Sequence, residues 1–278
     1  MIKRGNSRGQ VTLFIIIAIL VVAVAALAVV FWPQISSLLM SKQDAQAYLD
    51  TQAEPLRDAV TDCITSNSLD GFAIIGYQAG YYDTTGLNFL TFAGNSYTVV
   101  MFKDAAKQRI NKLPSLSQIE SQYSLFLEEE GNDAIDDCLN DFTSFKRNMN
   151  VEPGERKINA SIYYDTIILN VDWPITISKS TAGGTATKQI QQKPISMLIP
   201  LGYMWQTANA VVDCETKVNC KYEGIEWDKD AWNNPYRLQY ITRDARSLNA
   251  NQIIFILTST PYRPGETAFT FNFAIDRT

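Results

Sequence analysis

The groups of this chain that could carry out acid–base chemistry are clustered carboxylates. Three glutamates stand together at 128–130, two aspartates at 136–137, and Asp228 and Asp230 are separated by one residue. Paired carboxylates can hydrolyse glycosidic bonds when one is desolvated and the two lie about 5–10 Å apart. Three adjacent glutamates on a helix are more often a solvated face. A carboxylate hydrolase acting on glycan or peptide is therefore only the third functional hypothesis for this chain.

The composition excludes other classes of site. The sequence contains no histidine, so Ser-His-Asp and Cys-His nucleophiles, imidazole zinc centres and histidine pH switches have no basis. Asp228 and Asp230 lack the further ligands of a calcium loop, and no glycine-rich nucleotide motif or G-x-S-x-G is present. We therefore expect a protein that is not an enzyme, with no cofactor and no metal site.

Four cysteines offer covalent chemistry. In an oxidising compartment they form two disulfides, and sequence alone permits three pairings. Five residues separate Cys214 from Cys220, so a local loop closes easily and Cys63 is left to pair with Cys138. The alternative is that Cys63 and Cys138 are reduced core residues. Zinc held by four thiolates would need paired C-x2-C sequences, which this spacing does not provide.

Two further features are candidate binding or modification sites. Rigid aromatic rings among asparagines and aspartates hold sugars or peptides at little entropic cost, or they cap a sheet as core residues. Such rings crowd near the second cysteine pair at Trp205, Tyr222, Trp227, Trp232 and Tyr236. Asn159-Ala160-Ser161 is the only N-x-S/T sequon and makes Asn159 a candidate glycosylation site, although it falls in a predicted strand.

An apolar segment near the start determines on which side of a membrane these residues lie. Val11–Trp32 has 22 residues, of which only Thr12 is polar. As a helix it reaches about 33 Å, enough to cross a hydrocarbon core of about 30 Å. Three basic residues and no acid precede it, so the positive-inside rule places the start in the cytoplasm and residues 33–278 outside. The three are Lys3, Arg4 and Arg8. We predict a single-pass cell-membrane protein that contacts the lipid bilayer through residues 11–32.

The outer part is acidic. Residues 33–278 contain 21 basic and 29 acidic residues, a net charge of −8. Nucleic acid is bound by basic surfaces, so we expect no nucleic-acid partner. Self-association and other envelope proteins remain as partners of the outer part.

The sequence Arg8-Gly9-Gln10-Val11-Thr12-Leu13 before the apolar run resembles the class III signal of archaeal type IV pilin-like proteins. In that family a peptidase cuts between the glycine and the glutamine, and the helix can pack in a filament core. The resemblance implies cleavage between Gly9 and Gln10. Phe14 departs from the pattern, because many pilins carry a glutamate at this fifth mature position. An uncleaved signal anchor is the alternative.

Two more segments widen the resemblance. Together with the opening, Gly76–Tyr82 and the ending Phe271–Ile275 are similar to uncharacterised single-pass surface proteins of small-genome archaea. This wider resemblance implies a surface location, but no biochemical activity comes with it.

The elements that position these residues are helices first and strands later. One apolar stripe of helical spacing is formed by Leu49, Ala53, Leu56, Val60, Cys63 and Ile64. Pro55 interrupts this stripe, and we expect the helix to restart there. A second helix follows Pro114, is capped by Ser115 or Ser117 and breaks near Gly131. Its inner face is predicted to contain Ile119, Tyr123, Phe126, Ala134, Cys138, Phe142 and Phe145.

Strands are indicated elsewhere by glycine, aromatic and alternating patterns. We expect strands and turns over 71–82 and two short strands around Gly94-Asn95. Apolar residues then alternate from Ile158 to Tyr164, from Leu169 to Ile177 and from Ile195 to Ile199, which favours an antiparallel sheet. The pattern also predicts a short helix over 201–212 and later strands over 236–240, 253–257 and 269–275.

The sequence therefore predicts an α+β fold, with a transmembrane helix followed by an extracytoplasmic domain of helices packed on antiparallel sheet. Its parts are a cytoplasmic basic segment (1–10), the membrane helix (11–32), a stalk or linker (33–50), a helix-rich part (51–150) and a sheet-rich part (151–278). Residues 51–278 form one domain or two; the lack of a Pro/Ser-rich linker favours one. The leading hypothesis is a non-catalytic structural, adhesion or envelope-assembly protein, and the second is a pilin-like filament subunit.

Overall fold

A computed structural model describes residues 17–27, 29, 40–217, 238–241, 251–259 and 268–278. They form an α+β fold of helices and mainly antiparallel sheets. The helices are α1 (Lys42–Tyr77), α2 (Leu116–Phe126), α3 (Asn132–Leu139), α4 (Thr143–Lys146) and α5 (Leu201–Glu215). A π-helical turn (Leu127–Gly131) joins α2 to α3, and a 3-10 turn (Asn140–Phe142) joins α3 to α4. The strands are β1 (Phe89–Phe92), β2 (Asn95–Lys103), β3 (Arg109–Asn111), β4 (Asn150–Pro153), β5 (Lys157–Ile162), β6 (Ile167–Asp172), β7 (Ile175–Thr181), β8 (Gly184–Ile190), β9 (Ile195–Met197), β10 (Leu238–Ile241), β11 (Gln252–Thr258) and β12 (Thr270–Asp276).

The chain divides into two compact units, and each draws on residues before and after position 150. The first unit comprises Met1–Pro55, Ser144–Glu152 and Ile175–Ile190. The second unit comprises Leu56–Thr143, Pro153–Pro174 and Gln191–Thr278.

The first unit is built on a three-stranded sheet in the order β4-β7-β8. β7 and β8 form an antiparallel hairpin whose last pair, Thr181 with Gly184, leaves a two-residue turn. Gly184 has a φ of 111°, a backbone conformation that glycine adopts without steric cost. Ile175 and Ile177 of β7 are fully buried. Gly184 thus lets the chain enter β8 directly after the turn.

The second unit contains a six-stranded sheet in the order β1-β2-β12-β11-β10, with β3 paired to β2. β12 lies beside β2 in parallel, whereas the pairs β1–β2, β2–β3, β10–β11 and β11–β12 are antiparallel. Every residue from Phe271 to Ile275 is buried, as expected for a central strand covered on both faces. The β1–β2 hairpin confirms the two strands predicted around Gly94-Asn95.

A second sheet of this unit has the order β5-β6-β9 and is antiparallel throughout. Alternate residues of β5 are buried, namely Ile158, Ala160 and Ile162, as their spacing predicted. On the other face Asn159 of β5 stands opposite Asn170 of β6 and both are exposed, while Ser161 and Ile168 beside them are half-buried. One face of this sheet therefore meets the core and the other meets solvent.

α1 corrects two predictions. It continues through Pro55 without a restart, and it extends to Tyr77, where strands were expected. A proline inside a helix costs about 3 kcal/mol, and the stripe through Leu49, Leu56, Val60 and Ile64, all fully buried, outweighs that cost. Gly71 lies inside the helix. Glycine is required at this position because a Cβ atom there would lie 2.4 Å from the ring of Phe126. This glycine serves close helix packing rather than a turn.

The π-helical turn corrects the predicted inner face of the next helices. Ser115 caps α2 with a reciprocal capping box to Gln118, and Ile119, Tyr123 and Phe126 are buried as predicted. Beyond the turn, the buried residues are Ile135 and Leu139 rather than Ala134 and Cys138, and Cys138 is exposed. A π turn accommodates one extra residue, which rotates the following helix face by one position.

One predicted strand is divided in the structure. The alternating run from Leu169 to Ile177 becomes β6 and β7, which belong to different sheets, with Trp173-Pro174 between them. Proline has no N–H to donate to a strand ladder, which explains the break. The predicted helix over 201–212 is confirmed and ends slightly later, at Glu215.

The described residues of the apolar segment, 17–27 and 29, are helical with exposed side chains. Within the part of the chain that the structure describes, no helix combines the length and the apolar character needed to cross a membrane.

Candidate functional site

Cys63 in α1 and Cys138 in α3 form a disulfide, with 5.8 Å between their Cα atoms. The pairing is the one that the sequence predicted. Cys63 is 7% exposed, whereas Cys138 lies on the exposed side of its short helix. The bond ties α3, which follows the π turn, to the long helix α1.

The end of α5 is held by a buried carboxylate. The Glu215 side chain is 3% exposed and forms an ion pair with Arg277, whose Nε donates to Oε2 at 2.8 Å. Arg109 donates to the carbonyl oxygens of Glu215 and Lys217. A cation here complements both the unpaired helix carbonyls and the negative end of the helix dipole. These contacts position the C-terminal end of α5.

The second cysteine pair begins at this end of α5. Cys214 lies in the last turn and is not a free thiol. Its predicted partner, Cys220, lies outside the described residues, so the pairing of Cys214 with Cys220 stays a prediction.

The predicted aromatic site is described only at Trp205. This side chain is half-buried, and its Nε1 donates to the carbonyl oxygen of Pro114 at 2.6 Å. The contact joins the first turns of α5 to the segment before α2, which is a structural role. The other candidates, Tyr222, Trp227, Trp232 and Tyr236, lie outside the described residues, as do the candidate processing residues Gly9 and Gln10.

A different aromatic surface is present in the second unit. Tyr163 and Tyr164 lie in the turn between β5 and β6 and are 55% and 49% exposed, and Leu198, directly after β9, is 51% exposed. Met197, the residue before Leu198, pairs with Ile167 at the β6 end of this turn. Tyr203 in the first turns of α5 completes the group. We call these four residues the tyrosine patch.

Backbone contacts hold the tyrosine patch in place. The Tyr203 N–H donates to the carbonyl oxygen of Tyr164 at 2.8 Å, and the two rings meet edge to face with centroids 5.1 Å apart. Gly202 permits this approach, since a Cβ atom there would lie 2.1 Å from the Tyr163 carbonyl oxygen. The turn also closes on itself through a Tyr163 N–H to Thr166 carbonyl hydrogen bond of 2.8 Å. The backbone of the turn is therefore fixed, and the Tyr164 ring is held against Tyr203.

Sequence reasoning missed the tyrosine patch because Tyr164 was assigned to an inward strand position. The structure places Tyr164 beyond β5, half exposed. A signal was present, since two adjacent residues of a strand point to opposite faces and consecutive tyrosines cannot both face the core. Rigid rings with hydroxyl groups at their edges are suited to binding sugars or peptides.

Of the predicted carboxylate clusters, the structure describes residues 128–130 and 136–137, whereas Asp228 and Asp230 lie outside the described residues. Glu128, Glu129 and Glu130 are exposed on the π turn. Loss of solvation and the carboxylates of Glu130 and Glu129 raise the pKa of Tyr82 to about 12. In the parts of the chain that are described, no group of three or more candidate ligands could hold a metal ion.

Asp136 belongs to a different cluster, centred on a guanidinium. Arg156 donates to Asp136 at 2.8 Å and to the Asn132 side chain at 2.9 Å. The same guanidinium lies over the Trp173 ring, 4.5 Å from its centroid. The indole N–H in turn donates to the Gly154 carbonyl at 3.1 Å. These contacts join α3 to the segments that flank β5 and β6, which is a structural task.

Comparisons with protein-family models, with curated proteins and with solved structures give no significant match.

Proposed function

We propose that this chain is a membrane-tethered extracytoplasmic protein with a structural, adhesive or envelope-assembly role rather than a catalytic one. The observation that carries the proposal is the Cys63–Cys138 disulfide. Disulfides persist in oxidising compartments and are rare in the reducing cytosol. The bond joins α1 to α3, so the folded chain contains these two cysteines in their oxidised form.

The tether is proposed from sequence. Val11–Trp32 has the length and composition of a membrane span, and basic residues flank its start only. The described residues 17–27 and 29 support this, because their apolar side chains are exposed along the helix. Exposed Val, Leu and Ile side chains each cost about 1.5–3 kcal/mol relative to burial, so lipid or another apolar surface is their favourable surrounding.

Topology is tested on intact host cells. Added proteinase K is expected to degrade residues 33–278 and leave a short membrane-retained fragment. A variant with Lys3→Glu, Arg4→Glu and Arg8→Glu removes the positive flank and is expected to lose the uniform orientation. Full protection of the wild-type chain in intact cells, with digestion only after lysis, would overturn the proposal.

The contact surface of the outer part is, in this proposal, the tyrosine patch. Tyrosine is enriched among the interface residues whose truncation costs more than about 1 kcal/mol, and we assign this cost to each of the two exposed tyrosines. The full chain, held in lipid nanodiscs on beads, is expected to bind envelope fragments prepared from host cells. Tyr163→Ser with Tyr164→Ser should weaken this binding about 30-fold.

A matched control comes from a tyrosine elsewhere in the same unit. Tyr77, at the end of α1, is 57% exposed and outside the tyrosine patch. Tyr77→Ser should leave binding to envelope fragments unchanged. Equal binding by the wild type and the double patch variant would remove the tyrosine patch from the proposal and leave the tether to be judged separately.

The pilin-like subunit is the second candidate, favoured by Arg8-Gly9-Gln10 before the apolar run. Mass spectrometry of the native N-terminus separates the two candidates. A terminus at Gln10 supports the filament subunit, and a terminus at Met1 supports the uncleaved anchor.

A further inference from the structure

The sequon at residues 159–161 lies on the solvent-facing side of a sheet. Asn159 is on β5, and the adjacent residues Ile158 and Ala160 are 8% and 9% exposed, so they point to the core while Asn159 points away from it. Ser161, two residues later, shares the outer face and is half-buried. The two side chains that define an acceptor sequon are therefore on the same, open side.

The surroundings of Asn159 are polar and leave room for a bulky group. Among the described strands β5 pairs with β6 alone, and Asn159 stands opposite Asn170, which is exposed as well. Ser196 of β9, on the same face, is also exposed. The side chains of Asn159, Asn170 and Ser196 are thus open to solvent on this face.

We infer that Asn159 is an N-glycosylation site, and that its glycan covers the outer face of the β5-β6-β9 sheet. The inference rests on the proposed extracytoplasmic location, because sugar transfer to N-x-S/T sequons occurs outside the cytosol. The substrate class is a polyprenyl-phosphate-linked oligosaccharide, supplied with its membrane oligosaccharyltransferase.

The transfer balances as a substitution at the sugar. The amide nitrogen Nδ2 of Asn159 attacks the anomeric carbon, and a C–N bond forms. The C–O bond to the polyprenyl-linked phosphate breaks, the phosphate leaves with the electron pair, and the proton that Nδ2 loses is taken up by the departing phosphate. No oxidation or reduction takes place.

Strand pairing sets the order of events. Residues 157–162 pair with residues 167–172 over six consecutive positions, and Ala160 between the two sequon residues is buried. A transferase cannot enclose a segment that is already paired and packed, so the sugar is added before β5 joins β6. The folded sheet then carries the glycan on its free face.

The test uses the full chain expressed in its host, with peptide mapping by mass spectrometry and protease access on intact cells. The peptide containing Asn159 should carry an oligosaccharide in the wild type. Asn159→Gln and Ser161→Ala should abolish the modification, and Ser161→Thr should retain it. Asn170→Gln is the matched control, an exposed asparagine on the neighbouring strand outside any sequon, and it should leave the glycan in place.

The outcomes separate this inference from the proposed function. A glycan at Asn159 supports both. A chain that proteases reach from outside the cell, with Asn159 unmodified, overturns the glycosylation site alone. A chain protected inside the cell overturns the proposed location, and the inference with it.

Discussion

Both units of this protein contain buried apolar residues and ion pairs, but the Cys63–Cys138 disulfide belongs to the second unit. In the first unit, polar contacts of lysines link the β7–β8 hairpin to other segments. Lys188 pairs with Asp50 at 2.7 Å, and Lys179 lies 4.4 Å from the centre of the Tyr48 ring. In the second unit, Phe72 stacks on Tyr123 with centroids 4.3 Å apart, and a disulfide joins Cys63 to Cys138.

The difference shows where stability depends on the chemical environment. Exposed ion pairs contribute little, and salt screens them. Buried aromatic packing and a covalent bond act independently of ionic strength, but the bond requires an oxidising compartment. The second unit contains the disulfide and the tyrosine patch. Its stability therefore depends on folding in an oxidising compartment.

Removing the disulfide should give the largest effect. A bond between residues 75 positions apart stabilises by about 4 kcal/mol in the chain-entropy treatment. We expect Cys63→Ser with Cys138→Ser to lower the free energy of unfolding by about that amount, measured by urea titration of the full chain in detergent. If this variant and the wild type unfolded at the same midpoint urea concentration, the disulfide would not stabilise the second unit as we predict.

A buried hydrogen bond gives the next effect. The hydroxyls of Ser68 and Tyr123 lie 2.7 Å apart, and both residues are fully buried. Ser68→Ala and Tyr123→Phe each leave one buried hydroxyl unpaired and should each cost about 2 kcal/mol. The double variant removes both hydroxyls and should cost no more than either single change. Additive losses in the same urea titration would contradict this coupling.

The stability of the second unit at alkaline pH tests the burial of Tyr123. Burial raises the pKa of Tyr123 to about 12 from an ordinary value of 10.0. The unfolded chain therefore loses this proton first, so the contribution of Tyr123 is complete below pH 10 and is lost as the pH rises towards 12. Stability measured across this window should fall less in Tyr123→Phe than in the wild type. The other tyrosines are common to both proteins and cancel in the difference.

The smallest effect is expected in the first unit. Lys179 contacts the Tyr48 ring and donates to the Asn148 carbonyl oxygen at 2.8 Å. Lys179→Met keeps the aliphatic stem and should cost about 0.5–1 kcal/mol at low salt, with less cost at high salt. A loss as large as that of the disulfide variant would show that the two units do not differ as described.

Local signals predicted much of the fold. The cap predicted at Ser115 or Ser117, the strands around Gly94-Asn95 and the alternating residues of β5 each depend on neighbours in sequence, and each is confirmed, with Ser115 as the cap. Failures occur where tertiary packing determines the structure. Gly71 looks like a turn residue until the ring of Phe126 is known to lie against it.

The candidate site was harder to predict for the same reason. The Cys63–Cys138 pair could be found because few cysteines leave few pairings. The tyrosine patch depends on where β5 ends and on the approach of α5 through Gly202, which no local pattern specifies. The π turn likewise changes which residues of α3 are buried. The sequence of α3 itself does not indicate this change.

The redox state of the cysteines in living cells tests the central claim most directly. Cells are quenched with acid, free thiols are alkylated before and after reduction, and each cysteine is read by mass spectrometry. The account predicts that Cys63 and Cys138 are alkylated only after reduction, together with the remaining two cysteines. Alkylation of Cys63 and Cys138 without reduction would place the folded chain in a reducing compartment and contradict the account.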